Sequence, residues 1–465
     1  MPNRPAYYLL SLGCSKNTVD SESMAQLLDA AGYVSVEKPR QADVLIVNTC
    51  GFIGPAREES VRHLRALAER KKRNQVLIAA GCLAQLWGPM LAEAVPGLDG
   101  VIGTRRWMDI VTFVEQVRAR RNGIAPQPLY HLPTDALTVG EDERGARRVA
   151  VQGASAYLKI ADGCRRPCSF CTIPTIKGTL KSRPPERIIA EAQQLAAQGV
   201  RELILIAQDL TDYGNDLGMR DGLATLITQI TRAAPELAWI RLMYAYPGAV
   251  TDRLIEVMAT NDKVVKYLDL PLQHAHPAVL RRMRRPSNVE WVYRTLEKMR
   301  AAMPNLAIRT TFIVGFPGET DEEFEALLRF VEEVQFDRVG VFTYSLEPQS
   351  PSAALPHHVP AAVAEERREA LMLLQQRISL RKNQQLIGQT LPVLIEGYDA
   401  QQHISVGRTY RDAPEIDGLV FIEGLIPTGE FVPVQVTGAM TYDLVGKVAL
   451  LPTTVIKHGA AQEAA

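Results

Sequence analysis

The chain lacks several features that would assign it to a protein class at once. Its 52 basic and 52 acidic residues cancel, so no overall field directs it to nucleic acid or to a membrane surface. The most apolar long stretch, residues 76–95, is interrupted by two glycines, a glutamine, a proline and a glutamate, which excludes a membrane span there. The N-terminus has no apolar run of the length that a signal peptide needs. These absences predict a cytoplasmic protein without a membrane partner.

Cysteine is also scarce, and its six residues form two sets of three. Three cysteines, Cys164, Cys168 and Cys171, are spaced C-x3-C-x2-C and are called the loop cysteines. The other three, Cys14, Cys50 and Cys82, each follow an apolar strand and are called the sheet cysteines. Without a secretion signal, such thiols are more often metal ligands or catalytic groups than disulfides. A cubane [4Fe–4S] cluster held by three thiolates keeps one iron open. Two sets therefore predict two [4Fe–4S] clusters, each with one iron free to bind a cofactor or substrate, and hence an enzyme.

The first region, residues 1–125, alternates short apolar strands with helical stretches, which predicts a parallel-sheet α/β domain. Each sheet cysteine follows the end of an apolar strand, in the segments LLSLGC, LIVNTC and LIAAGC. Because parallel strands deliver their C-terminal ends to one edge of a sheet, these cysteines can meet there. Three buried thiols are the alternative, and the repeated placement favours metal ligands.

The second region, residues 151–382, repeats strand and helix six times, which predicts a partial (β/α)6 barrel. Polar or special residues follow its strands: Asp162, Gln208, Asp209, Tyr246, Gln273, His274 and the turn 315–319. That end of a barrel carries the chemistry. Helix capping is the competing account for Asp209 and Glu319 taken singly.

The remaining segments are a linker, a small barrel and a tail. Residues 126–150 are irregular and are expected only to tether. Residues 383–451 show short alternating strands and predict a small antiparallel β-barrel that resembles an oligonucleotide-binding fold, of the TRAM type. Between 388 and 450 eight acids face three bases, a formal balance of 3 − 8 = −5. Within the loop 411–417, Glu415 and Asp417 predict docking of a basic protein, with surface decoration as the alternative. Residues 452–465 are expected to be a frayed tail.

The loop cysteines narrow the chemistry further. A zinc site would need a fourth ligand, and the local sequence offers none, although His131 and His274 stay open as distant ligands. The spacing after a first barrel strand resembles the radical S-adenosylmethionine superfamily. That resemblance implies that the open iron binds S-adenosylmethionine and that one electron releases a 5′-deoxyadenosyl radical. Phe170 would then pack on the adenine, or else belong to the core, and the turn that ends at Glu319 would let the backbone approach the cofactor.

Over essentially its whole length the chain resembles the methylthiotransferases. The segments that carry this resemblance are SLGCSKNTVDSE, NTCGFI, ADGCRRPCSFCTIP, LDLPLQH and FIVGFPGET. It implies that the sheet cysteines hold an auxiliary cluster whose open iron carries the sulfur to be inserted. A second S-adenosylmethionine would methylate that sulfur, and a flavodoxin or ferredoxin would supply electrons.

One branch of this family modifies adenosine in transfer RNA, and another modifies an aspartate of ribosomal protein uS12 at its β-carbon. The stretch GRTYRDAPEIDGLVFI looks like the ribosomal-protein branch. The acidic C-terminal barrel agrees, because a transfer-RNA binder should carry a basic footprint. The expected partner is therefore uS12 or the small ribosomal subunit. Transfer RNA is the nearest alternative, and a non-catalytic iron–sulfur sensor is the more distant one.

Overall fold

Strands and helices alternate along most of the chain, as the sequence predicts. The computed structural model describes residues 4–121, 127–139 and 143–449, which divide into two units, Met1–Ser379 and Leu380–Ala465. Within these residues no helix is long and apolar enough to cross a membrane. The fold class is confirmed: a parallel α/β sheet, a partial-barrel sheet and a small closed barrel follow one another.

The first unit begins with a six-stranded parallel sheet in the order β2-β1-β3-β4-β5-β6. Its strands are β1 Ala6–Ser11, β2 Val34–Ser35, β3 Val44–Thr49, β4 Val76–Ala80, β5 Gly100–Gly103 and β6 Leu129–His131, and its helices are α1 Ser15–Ala30, α2 Gly54–Arg70, α3 Gly81–Ala94 and α4 Ile110–Arg121. Both faces of β3 are covered, since Val44 and Ile46 pack into one core while Leu45 and Val47 pack into another. Helices on both faces are what a parallel sheet requires.

The second sheet is the predicted partial barrel, in the order β15-β14-β13-β12-β11-β8-β7. Its strands are β7 Val149–Gln152, β8 Ser155–Lys159, β11 Glu202–Ile206, β12 Trp239–Leu242, β13 Val264–Asp269, β14 Ala307–Val314 and β15 Arg338–Thr343. Its helices are α5 Ile173–Lys177, α6 Pro185–Ala197, α7 Gly222–Ala233, α8 Asp252–Thr260, α9 Pro277–Arg282, α10 Val289–Ala302, α11 Asp321–Val334 and α12 Ala361–Gln384. Six strands are parallel, and β7 adds an antiparallel edge to β8.

Short elements position the cysteine loop at the mouth of this sheet. A two-stranded antiparallel ribbon, β9 Ala161–Asp162 with β10 Lys181–Ser182, closes the base of the loop that carries the loop cysteines. Helix α11 begins with a capping box. The Thr320 side chain accepts a hydrogen bond from the Glu323 backbone N–H, and the Glu323 carboxylate accepts one from the Thr320 backbone N–H. The turn that begins α11 is thus fixed locally.

The segment 126–150 does more than tether, so that part of the sequence interpretation is wrong. It supplies β6, which pairs with β5, and it buries Glu143 and Arg148. The Glu143 carboxylate pairs with Arg183 at 2.5 Å, and Arg148 pairs with Asp162 at 3.0 Å. Buried charges need paired partners, and these partners lie 14 and 40 residues away along the chain, which a local composition pattern does not reveal. Residues 126 and 140–142 lie outside the described residues.

The second unit contains a closed five-stranded barrel in the order β16-β17-β18-β20-β19. Its strands are β16 Thr390–Asp399, β17 Ile404–Thr409, β18 Val420–Glu423, β19 Phe431–Ala439 and β20 Leu444–Val448. Four pairings are antiparallel as predicted, but β18 and β20 pair in parallel. An odd number of strands cannot alternate direction around a closed ring, so one parallel pair is unavoidable. The predicted tail 452–465 lies outside the described residues.

The loop 411–417 presents fewer carboxylates than the sequence suggests. Asp412 is buried and accepts hydrogen bonds from the Thr409 hydroxyl and the Gly418 backbone N–H. The Asp417 carboxylate accepts from the backbone N–H of Ala413 at 2.9 Å, so it holds the turn. Glu415 is the exposed acid of this loop, with a left-handed φ of +68°. The expected docking charge therefore rests mainly on Glu415.

Candidate functional site

All six cysteines line one cavity of about 350 Å³ in the first unit. Each is a free thiol. The sheet cysteines come from the C-terminal edge of the first sheet, and the loop cysteines come from the mouth of the second. A wider groove of about 640 Å³ between α2 and α3 has no cysteine in its lining, so we place the functional site at the cysteine cavity.

The sheet cysteines occupy strand-to-helix turns that depend on glycine. Gly13 and Gly81 stand immediately before Cys14 and Cys82, with φ of +93° and +94°, a region that suits glycine. A Cβ on Gly13 would lie 2.7 Å from the Cβ of Cys50, so the first two turns touch. Cys14 stands at the N-cap position of α1, without a capping bond from its side chain, and Cys82 lies in the first turn of α3. A helix N-terminus stabilises a thiolate once a metal has displaced its proton, which makes these turns suitable for metal ligation.

The loop cysteines all lie within seven positions of one another, and the sulfur of each accepts a hydrogen bond. Gly163, with φ of +72°, starts the loop, and a Cβ there would lie 1.9 Å from the carbonyl oxygen of Thr179. The sulfurs accept weak bonds at 3.4 to 3.6 Å, from the backbone N–H of Arg166 to Cys164, from that of Ile173 to Cys171, and from the Arg285 guanidinium to Cys168. Hydrogen bonds to cysteine sulfur are a recognised means of tuning iron–sulfur clusters.

The free thiols that line the cavity are the ligand type that an iron–sulfur cluster uses. Among the described residues, no three His, Cys, Asp or Glu side chains converge closely enough to hold one metal ion. In a cubane each cysteine binds a different iron, so its ligands stand further apart. Burial raises the pKa of Cys82 and of Cys171 to about 12, so both thiols keep their protons at neutral pH until a metal displaces them.

The two histidines left open as distant ligands do not join the cysteines. Neither lies in the lining of the cavity. The Nε2 of His131 lies 2.7 Å from a carboxylate oxygen of Asp109. His274 is buried, and its Nδ1 accepts from the backbone N–H of His276 at 3.0 Å. A fourth protein ligand from either residue is therefore unsupported.

Cations dominate the charged lining of the cavity. The charged lining residues, apart from the cysteines, are Lys16, Arg166, Lys177, Arg285 and Asp209. The Tyr246 ring lies between two guanidinium groups, with Arg166 at 4.2 Å and Arg285 at 4.3 Å from its centroid. Since the whole chain is neutral, this local excess of positive charge distinguishes the cavity and favours anionic occupants.

A buried ion network lies behind the cavity and joins the two sheets. Asp20 on α1 pairs with Arg148, Lys159 and Lys177, the last at 2.7 Å. Asp162 at the base of the cysteine loop pairs with Arg148 at 3.0 Å and with Lys159 at 3.1 Å. Burial opposes ionisation of Asp20, yet Lys159, Lys177 and Arg148 hold the pKa of its carboxyl well below the usual range. The network therefore fixes the sheet cysteines relative to the loop cysteines.

The two residues expected to bind S-adenosylmethionine occupy different positions. Phe170 lines the cavity and also packs against Met283 and Phe316, so it borders both core and site. Glu319 is buried and is not among the lining residues; its carboxylate accepts from the Phe316 backbone N–H at 2.9 Å and faces Arg367 at 3.4 Å. Its contacts support a role in holding the turn. Of the other polar residues expected at the mouth, the cavity lining includes Gln208, Asp209, Tyr246 and Gln273 but not Asp162 or His274.

Sequence reasoning missed part of the lining. Lys16, Lys177, Tyr244 and Arg285 all reach the cavity. Lys16 lies two residues after Cys14, which was a usable hint, whereas nothing local marks Arg285. Tyr244 and Gln273 follow β12 and β13 with left-handed φ values of +67° and +75°. Such strain persists at functional sites when the surrounding structure holds it.

Comparison with known proteins shows which families the parts of this chain match. Residues 6–103 match the Uncharacterized protein family UPF0004, residues 158–331 the Radical SAM superfamily, and residues 387–449 the TRAM domain. The ribosomal protein uS12 methylthiotransferase RimO of Chloroflexus aurantiacus is 50% identical over 451 residues, covering 95% of this chain and 99% of the relative. That of a Roseiflexus species is 48% identical over 462 residues, covering 96% and 98%.

Solved structures agree on the fold. The radical S-adenosylmethionine methyltransferase TsrM from Kitasatospora setae, with tryptophan and an S-adenosylmethionine analogue bound, matches with a TM-score of 0.54. The match covers 86% of this chain and 79% of that chain at 14% identity. At that identity the likeness concerns the fold alone. The resemblance to the radical S-adenosylmethionine superfamily and the TRAM type of the C-terminal barrel are both confirmed.

Proposed function

Because the chain belongs to the family of ribosomal protein uS12 methylthiotransferases, we propose that it inserts a methylthio group at the β-carbon of an aspartate in uS12. One S-adenosylmethionine serves as the radical source and a second as the methyl donor. The observation that carries this proposal is the single cavity in which two sets of three free cysteines face each other. Groups bound at the two cysteine sets could then act in turn on one atom of the substrate while the substrate stays bound.

We assign the ligands from the resemblance of the loop spacing C-x3-C-x2-C to the radical S-adenosylmethionine superfamily and of the whole chain to the methylthiotransferases. The sheet cysteines hold the auxiliary [4Fe–4S] cluster, and the loop cysteines hold the cluster that binds S-adenosylmethionine. That second cluster, when bound, supplies the electron for reductive cleavage of the sulfonium. Phe170, at the cavity wall, offers an apolar face for the adenine. Glu319 acts indirectly, since its carboxylate orders the turn 315–319 rather than reaching the cavity.

Further parts of the proposal concern organisation and partners. We assign residues 1–125 to the auxiliary-cluster domain, 126–150 to the connecting segment, 151–382 to the radical domain, 383–451 to the TRAM domain and 452–465 to a tail. A flavodoxin or ferredoxin is the expected electron donor, and the cytoplasm, where uS12 is made, is the expected compartment. The acidic C-terminal barrel suits a basic ribosomal protein better than transfer RNA.

The test is a reaction of the anaerobically reconstituted enzyme with two substrates. Purified uS12 and bulk transfer RNA are each incubated with the enzyme, S-adenosylmethionine, sulfide and a reductant, and products are identified by mass spectrometry. We expect a methylthio group on one aspartate of uS12 and none on adenosine. Modification of transfer RNA alone would move the chain to the other branch, and absence of S-adenosylmethionine cleavage would favour a non-catalytic sensor.

The docking part of the proposal is tested by reversing one exposed charge. Glu415→Lys should weaken turnover of uS12, by about threefold to tenfold at low salt, because an attraction becomes a repulsion. Asp417 is a poorer choice, since its carboxylate holds the turn. Glu430→Lys, an exposed acid outside the loop 411–417, is the matched control. Steady-state rates with uS12 and without it separate docking from basal cleavage, and equal losses in both variants would reject the loop as the docking site.

A further inference from the structure

Lys16 differs from the other three cations that line the cavity, because each of those is already engaged. Arg166 pairs with Asp209 at 2.7 Å, and Lys177 pairs with Asp20 at 2.7 Å. The Arg285 guanidinium donates to the Pro271 carbonyl oxygen and to the Cys168 sulfur. Lys16 has no carboxylate within ion-pair distance among the residues that the structure describes. Its ammonium nitrogen instead lies 3.1 Å from the centroid of the Tyr244 ring.

The ring beneath Lys16 is held firmly in place. Tyr244 has a left-handed φ of +67°, which a bulky residue adopts only when its surroundings require it. Its backbone N–H donates to an Asp269 carboxylate oxygen at 3.2 Å, and its hydroxyl lies 3.4 Å from that of Ser15. A cation on an aromatic face is stabilised from one side only. Lys16, half-buried and part of the cavity wall, therefore keeps donors for an anion in the cavity.

We infer that Lys16 binds the side-chain carboxylate of the substrate aspartate, which makes it a specificity-determining residue. This inference rests on the proposed function. The β-carbon is bonded directly to the carboxylate carbon, so an anchored carboxylate restricts the reacting atom to a small volume of the cavity. A fixed cation also discriminates, since an uncharged asparagine or a nucleobase leaves it without an anionic partner.

A different role for Lys16 is to balance the charge of the sheet cluster, because it follows Cys14 by two residues. The two roles predict different outcomes for Lys16→Met. Loss of charge balance would lower the iron and sulfide content or alter the paramagnetic resonance spectrum of the sheet cluster. Loss of a substrate contact would leave both unchanged and would alter only the binding of the aspartate.

The experiment measures binding of full-length uS12 and of its aspartate-to-asparagine variant to the reconstituted enzyme with S-adenosylmethionine, under anaerobic conditions. The wild-type enzyme should bind the aspartate form about tenfold more tightly, whereas Lys16→Met should bind both forms with the affinity that wild type has for asparagine. Lys16→Arg should restore part of the preference, because it keeps the charge. Lys38→Met, at an exposed position of the same domain, should behave as wild type.

Several results would overturn the inference. If the Lys16→Met enzyme still prefers the aspartate form of uS12, or if it loses half of its iron, then Lys16 has another role. These results are distinguishable from failure of the proposed function, in which the wild-type enzyme leaves uS12 unmodified altogether. Retained iron and a lost preference for aspartate together support the carboxylate contact.

Discussion

The two cysteine sets each bring three thiols to one cavity, but they do so in opposite ways. The loop cysteines lie within residues 164–171 and owe their arrangement to one ribbon-closed loop. The sheet cysteines span residues 14–82 and meet only because β1, β3 and β4 are neighbouring parallel strands. Ligands from one loop depend on local backbone geometry, whereas ligands from three strands depend on the whole sheet. The two sets should therefore respond differently to the same kind of change.

The largest expected effect comes from removing each set in turn. Replacing the loop cysteines by alanine should remove about half of roughly eight irons per chain and abolish cleavage of S-adenosylmethionine. Replacing the sheet cysteines should remove the other half, abolish methylthiolation and leave formation of 5′-deoxyadenosine measurable. Iron and sulfide analysis with product chromatography checks both outcomes. One zinc per chain without sulfide would refute the cluster assignment.

The next effect tests whether the two sets are held together as one site. Asp20→Asn removes a carboxylate from Arg148, Lys159 and Lys177, leaving buried positive charge uncompensated, and should destabilise the first unit by about 3–5 kcal/mol. Anaerobic thermal unfolding of the reconstituted chain measures the loss. Asp252→Asn is the matched control, since Asp252 is 82% exposed in its pair with Lys298 and contributes little. Equal midpoints for the two variants would show that the network adds nothing.

A glycine pair separates backbone strain from crowding at the sheet cysteines. Gly81→Ala places a Cβ 2.7 Å from the carbonyl oxygen of Thr49, at a φ of +94°. We expect a loss of about 2–5 kcal/mol and partial loss of the iron held by the sheet cysteines only. Gly32→Ala has nearly the same φ, +88°, and no atom within 4 Å, so it should cost about 1 kcal/mol and retain all iron. Iron content and thermal unfolding of both variants report the difference.

The same contrast explains what the sequence could predict. Both cysteine sets were predictable, because a strand followed by cysteine, or a close cysteine spacing, is a local pattern. The contact of Ser15 with Tyr244, which are 229 residues apart, was not, because it depends on how the first sheet packs on the mouth of the second. The pairing of Arg148 with Asp20 was hidden for the same reason. For Glu319 the turn was predicted, but the direction of its carboxylate depends on Arg367, from a later helix.

The smallest expected effect concerns the reduction potential of the loop cluster. The Arg285 guanidinium lies 3.6 Å from the Cys168 sulfur and would bring positive charge to the proposed cluster there. Hydrogen bonds and positive charge near cluster sulfur stabilise the reduced state, which carries one more electron. Arg285→Met should therefore lower the potential of the loop cluster by roughly 30–60 mV, where about 59 mV is a tenfold change for one electron. The potential of the sheet cluster should stay the same.

An anaerobic redox titration followed by paramagnetic resonance measures both potentials in one sample. Arg285→Lys should fall between the two, because it keeps the charge but not the planar fork. Arg281→Met, at an exposed position of α9, is the control for a general change of charge. An equal shift of both clusters would show that Arg285 acts through the overall field of the cavity. A shift confined to the loop cluster would mean that its potential is set by contacts that the sheet cluster does not share.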